Sequence, residues 1–399
     1  MKSAQIVRDA HSVRIAIVGA GIGGTALAAL MQRAGWVVTV YEQAERFTRV
    51  GAGIHLSPNL MRVMRRLDVH RQVLMSGQEP AAFLNRDALS GEMLYALRLG
   101  DAAHQQFGAP FVALRRGELH AALMSAVARG TVNWGKRLAG LDWRGETIAL
   151  AFEDGSRADA DIVIGADGLR SRVRSALCGH EQPVFSGQVA FRGSYPRELL
   201  GGLRIDDLTK WWGDDTFVLS YWLDRARRDF YFAAMMPQRE WPVEASSMPG
   251  DLEEMRARFA DFHPDVGRML ACAPHGSVTK WALFERPPRF EFGNARVVLI
   301  GDACHPMRPF MSQGAAMALE DAAILMRALM GDRNFAAAFE MFAKTRAARL
   351  AEVHRVSAAN TFMRGPTEPG WVFGYDALRE HESARLPVLE TPVAMAMAA

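Results

Sequence analysis

The chain is short of cysteine and of net charge, and each shortage removes a class of function. Three cysteines in 399 residues, Cys178, Cys272 and Cys304, are too sparse and odd in number for a disulfide framework. They form no CxxC pair, so a cysteine-rich zinc site is also excluded and no metal is expected. Lys+Arg 47 against Asp+Glu 44 leaves +3, which is no polybasic footprint for nucleic acid or an anionic membrane. Nor does any apolar run reach the roughly 18 residues of a membrane span. The best, Ala315 to Met330, is broken by Glu320, Asp321 and Arg327. The opening MKSAQIVRDA lacks the apolar stretch of a signal peptide. Repeats and low-complexity linkers are missing too, and only the tail ending AMAMAA reads as frayed. The expectation is a soluble, cytoplasmic monomer or homodimer whose partners are small molecules.

Apolar residues, by contrast, are plentiful. They make up 49% of the chain against 23% charged, enough for a sizeable core and incompatible with disorder. At about 150 residues per domain the length suggests two domains. Residues 13–42 read as strand, glycine turn, helix and strand (VRIAIVG, AGIGG, TALAALMQRAG, WVVTVYE). The short β-rich runs suit strands buried on both faces of a parallel sheet. A weaker pattern covers about 75–110. RRGELHAALMSAV then reads as a helix and ADIVIGADG as another buried strand. From Val184 to Lys280 aromatics concentrate, and TFVLSYWL and DFYFAAMM, joined by DRARR, predict an antiparallel meander. ARVVLIGDA returns to the first strand type, and helices are predicted over 315–330 and about 334–360. The expected fold is α/β. A dinucleotide-binding domain (1–75, 105–181 and 289–399, ending in helices) is interrupted by a second domain (76–104 and 182–288) with a mostly antiparallel sheet.

Three motifs carry chemistry. The first is a G-x-G-x-x-G, Gly19-Ala20-Gly21-Ile22-Gly23-Gly24, lying directly after a strand and opening a helix. Gly19 permits the tight turn, Gly21 lets backbone approach a pyrophosphate, and Gly24 lets helix and strand pack closely. Glu42 ends the next strand, where a carboxylate would bind ribose hydroxyls. This motif alone does not separate FAD from NAD. The second motif ends a strand in Asp167-Gly168 and the third ends one in Gly301-Asp302-Ala303, followed by CHPMRPFMSQG and a helix.

In this order and at these spacings, the three resemble the fingerprint of the single-component flavoprotein aromatic hydroxylases, the family of para-hydroxybenzoate and salicylate hydroxylases. The resemblance implies a Rossmann-like FAD-binding fold, bound FAD, NADH or NADPH visiting transiently, and dioxygen as co-substrate. Reduced flavin would react with dioxygen, and the resulting C4a-hydroperoxide would hydroxylate an electron-rich ring. It also implies roles for matching positions. Glu42, with neighbouring Gln43, would hold the adenosine ribose, Asp302 the ribityl chain, and Arg116 the flavin. Asp167 and Gly168 would serve both flavin and nicotinamide approach. Gly314 opens a helix whose amides would stabilise the anionic edge of reduced flavin, and Pro309 would stiffen the loop beneath the ring. A halogenase Trp-x-Trp-x-Ile-Pro signature is not matched by Trp211-Trp212-Gly213.

Within the family, GAGIHLSPNLMRVMRRL (51–67), KWWGDD (210–215), GDACHPMRPFMSQGAAMALEDAA (301–323) and WVFGYDAL (371–378) look most like the 6-hydroxynicotinate 3-monooxygenases and, less closely, the salicylate hydroxylases. That likeness places His55 at the substrate ring, to bind a carboxylate or help deprotonate a ring hydroxyl. A structural histidine is the alternative, and His305 reads as structural. Tyr221 would lie over the substrate, with Phe217 on the same sheet face at i, i+4. Here the chain departs from the hydroxynicotinate enzymes, which carry a cysteine and a histidine where it has Leu208 and Phe217. The chemistry therefore carries over better than the substrate, and a hydroxypyridine carboxylate and a hydroxybenzoate both stay open, with or without loss of CO2. The rivals are a flavin hydroxylase of a bulkier natural product, an NAD-dependent dehydrogenase and a non-enzymatic flavin-binding protein.

Overall fold

A computed structural model describes residues 13–48, 52–289, 292–332 and 334–379. The polar start and the tail ending AMAMAA lie outside the described residues. No helix among those described is long and apolar enough to cross a membrane.

The buried β-rich runs pair as a five-stranded parallel sheet in the order Val297–Leu299, Ile162–Gly165, Ile15–Val18, Val38–Tyr41, Val132–Asn133. Its three adjacent runs Val297–Leu299, Ile162–Gly165 and Ile15–Val18 are buried throughout, which is why they carry apolar residues without alternation. Register sets where the loops emerge. Val18 lies opposite Gly165, and Gly165 opposite Leu299, so all three strands end at one level. The glycine turn, the Asp-Gly loop and the Gly-Asp loop thus leave one sheet edge side by side. Helix Ile22–Arg33 follows the glycine turn and packs against Gly314–Gly331.

The aromatic segment builds an eight-stranded sheet, antiparallel except where Leu208–Trp212 runs parallel to Ala82–Asp87. Phe217–Trp222 and Asp229–Pro237 pair as the sequence predicts. Their charged turn is closed by the Asp224 carboxylate, which accepts from the amides of Ala226, Arg228 and Asp229. The weakly patterned stretch contributes two strands to this sheet, Ala82–Asp87 and Met93–Arg98. Met93–Arg98 is a largely exposed edge strand, which explains its faint signal. One sheet face packs Val218, Trp222, Phe230 and Phe232 beneath Leu252, Met255 and Val266 of two short helices. Alternation sends Phe217, Leu219 and Tyr221 to the other face, which roofs a cavity.

Glu320 and Asp321, which interrupt the apolar run of Gly314–Gly331, are fully buried against Arg346 and Arg349 of helix Phe335–Ala359. That pairing is what admits two carboxylates to the interior.

Candidate active site

A cavity of about 450 Å³ opens between the common edge of the three loops and the eight-stranded sheet. From the loop side it is lined by Gly21, Gly23, Arg116, Asp302, Pro309 and Gly314, and from the sheet side by Phe217 and Tyr221, with His55 beside them.

The glycines divide their work. Gly19 has φ +103°, and a Cβ there would overlap the Ala166 carbonyl. One at Gly24 would strike the Gly19 carbonyl, so both hold the turn closed. A Cβ on Gly23 would lie 3.3 Å from that of Ala318, a close helix contact. At Gly21 and at Gly168 it would meet nothing within 4 Å, and both residues line the cavity. Their backbone is therefore open to a ligand, as a pyrophosphate requires. Glu42 ties the turn together, accepting from the amides of Ala20 (2.7 Å) and Ala44 (2.8 Å).

Arg116 begins helix Arg116–Ser125 and projects into the cavity with no side-chain hydrogen bond or ion pair among the described residues. Burial lowers its affinity for the proton, and the charge of Asp302 partly restores it. Asp302 is open to the cavity yet enclosed by protein, and this desolvation raises its carboxyl pKa. Gly314 is the first residue of its helix, so the amide end of that helix faces the same space. An open backbone, a free guanidinium, a carboxylate and a helix N-terminus on one edge fit FAD.

Asp167 and Gln43 are placed elsewhere. The Asp167 carboxylate accepts from Ser171 Oγ (2.6 Å) and from the amides of Arg172 and Val173, fastening the start of helix Arg172–Cys178. Asp167 and Gln43 line a second, basic cavity with Lys136, Arg137, Arg170 and Arg172.

His55 lies on the short strand Gly53–Leu56, opposite Ala113. Its ring is 4.3 Å from that of Tyr221 and also meets Phe111 and Phe83. Nδ1 is 3.4 Å from Ser312 Oγ, and Nε2 is buried without a partner. Burial among aromatics brings its pKa down to about 3, so the imidazole is neutral at physiological pH. The Tyr221 hydroxyl makes no hydrogen bond among the described residues, and burial pushes its ionisation well above the usual range. A neutral imidazole and a neutral phenol thus share a dry corner, each with unspent hydrogen-bonding capacity. Gly53 makes room for them, because a Cβ there would overlap the Tyr221 hydroxyl. Gly53→Ala is expected to lower kcat/KM roughly 10- to 100-fold by displacing the phenol. FAD content should stay unchanged, read from flavin absorbance after desalting.

Phe217 lines the cavity and meets Phe310 edge-on. Leu208 does not line it; fully buried, it pairs across the strands with Tyr221 and supports that residue from beside. His305 bonds Asp321 at 2.5 Å in the interior. Two further lining residues, Tyr231 and Arg192, belong to none of the sequence motifs. The only signal for Arg192 is a charge on the inward side of QVAFRGSY.

The family model described as FAD binding domain matches residues 12–356. The 6-hydroxynicotinate 3-monooxygenase of Bordetella bronchiseptica is 44% identical over 370 residues, covering 92% of this chain and 96% of that protein. Among solved structures, Klebsiella pneumoniae HpxO in complex with FAD and uric acid superposes with a TM-score of 0.76 at 26% identity, over 87% of each chain. A salicylate hydroxylase substrate complex does so with a TM-score of 0.75 at 25% identity, over 92% of this chain and 96% of that one.

Proposed function

Since the chain belongs to this family of FAD-dependent aromatic-ring monooxygenases, we propose that it consumes NADH to hydroxylate a single-ring hydroxy acid of the 6-hydroxynicotinate kind, with release of CO2 where the attacked carbon bears the carboxylate. The observation that carries this reading is the pairing of unpartnered His55 Nε2 with the free Tyr221 hydroxyl in one closed aromatic corner of the cavity. Its size agrees. About 450 Å³ is near the small end of the roughly 300–1,000 Å³ typical of ligand sites, and the flavin ring must share it with the substrate.

In this reading Glu42 holds the adenosine end of the cofactor, and Arg116, Asp302, Pro309 and Gly314 its flavin end. FAD, once reduced, supplies dioxygen activation; the protein supplies the rest. His55 Nε2 accepts the proton of the substrate's ring hydroxyl. Its low basicity in the empty corner rises as the ionised oxygen forms beside it, because an adjacent anion favours the imidazolium. Tyr221 donates to that oxygen and fixes the ring plane. Phe217, Phe83 and Phe111 exclude the water that would divert oxygen to hydrogen peroxide.

The test is NADH oxidation by the FAD-loaded protein across hydroxypyridine carboxylates and hydroxybenzoates, with product masses read in parallel. A stimulated rate and a hydroxylated product are expected from 6-hydroxynicotinate. No stimulation by any single-ring acid would overturn the reading.

A further inference from the structure

We infer that Arg192 is the anion anchor of the substrate chamber, taking the ring carboxylate and so selecting acids over neutral hydroxylated rings. The inference rests on the hydroxy-acid reading and names the group that makes the acid obligatory. Arg192 lies on strand Val184–Pro196, directly opposite Ala233, which is itself opposite Leu219. Cross-strand partners share a face, so Arg192 stands on the cavity face with Leu219, Tyr221 and Tyr231. Of the seven residues this sheet gives to the cavity wall, it alone is charged.

No described carboxylate pairs with it. Its guanidinium packs 5.2 Å from the centre of the Trp281 indole, which steers the side chain without satisfying its donors. Arg116 faces the same cavity, also unpaired, and the two cations repel. Asp302 is the single carboxylate in the lining. The cofactor's own phosphates lie at the loop edge beside Gly21, so the charge left without a partner is the one at the sheet side, Arg192. Position divides the labour. Arg116 rises from the loop edge, where the flavin fits, whereas Arg192 hangs from the ceiling beside Tyr221. A planar acid gripped at its carboxylate by Arg192 and at its ring oxygen by His55 and Tyr221 is held at two points, which fixes the ring carbon presented for oxygen transfer.

The experiment titrates FAD-loaded protein with 6-hydroxynicotinate, salicylate and 4-hydroxybenzoate, each beside its neutral carboxamide. Kd is read from the flavin difference spectrum and by calorimetry. The wild type should prefer the acid of at least one pair. Arg192→Met should weaken that acid roughly 30- to 1,000-fold and leave the carboxamide unchanged. Arg192→Lys should recover part of the loss, since it restores a charge without the two-pronged fork. The partly exposed setting of Arg192 should let both variants fold, checked by FAD content and Tm. An Arg192→Met protein that holds FAD yet binds the acid as tightly as wild type, or loses acid and carboxamide alike, overturns the inference. A wild type that binds none of the acids overturns the functional reading itself.

Discussion

Replacing Arg346 with methionine should cost roughly 3–5 kcal/mol of stability and weaken FAD binding with it. Arg346 is fully buried, donating from Nε to Asp321 Oδ1 at 2.7 Å and from Nη1 to Glu320 Oε2 at 2.6 Å. Glu320 also receives Arg349 and Asn59, and Asp321 receives His305 and the Gly301 amide. These cations and donors hold both carboxyls below the usual range despite burial, that of Asp321 at about 2. Without Arg346 two interior carboxylates keep their charge and lose their largest shared compensation, and methionine fills only the volume. The damage reaches the cofactor through Asp321, whose bond to Gly301 sets the loop that presents Asp302. Urea unfolding of the apoprotein and FAD titration should both shift; a loss confined to less than about 1 kcal/mol would mean that the network is not coupled as its geometry implies. The pH sign is fixed as well. Carboxyls depressed in the fold stabilise it above their unfolded pKa near 4, and that stabilisation fades as pH falls towards about 2. The Arg346→Met variant should therefore show a shallower acid limb.

That network marks the limit of what periodicity can reveal. Glu320 and Asp321 are visible in the chain only as interruptions of an apolar run, because periodicity reports which face a residue occupies and not what lies opposite. Their partners sit 25 to 29 residues away on the next helix. The three motif loops were legible for the opposite reason. Each is a strand ending in glycine or aspartate, and a parallel sheet with level strand ends brings such loops together automatically. His55 and Tyr221 were legible through family likeness, and the meander through alternation. Alternation also places Arg192, but a lone charge in a half-buried strand reads as readily as a surface residue until the sheet order shows what it faces. Asp167 teaches the converse: its motif points at the cofactor, while its carboxylate accepts from the first amides of a helix that begins five residues on.

His55→Gln should reduce substrate turnover roughly 100- to 1,000-fold while leaving FAD binding intact, because the residue's only described polar contact is to Ser312. The substitution nearly preserves volume and hydrogen bonding but cannot take up a proton, so a loss in turnover reports proton handling rather than a cavity. The same variant separates this role from that of a merely buried histidine. In the wild type, burial depresses the imidazole pKa to about 3, whereas in the unfolded chain it is about 6.5. Between those values the unfolded state binds the extra proton, so stability is complete above pH 6.5 and falls as pH drops towards 3. The loss amounts to roughly 5 kcal/mol across that window. Urea unfolding of the apoprotein at stepped pH should show this slope in the wild type and a flatter one in His55→Gln. A structural histidine would give the flattened slope with turnover intact. A group that also takes the substrate's proton must change both, because the desolvation that makes His55 costly to charge in the empty corner is what lets it answer to a phenolate arriving beside it.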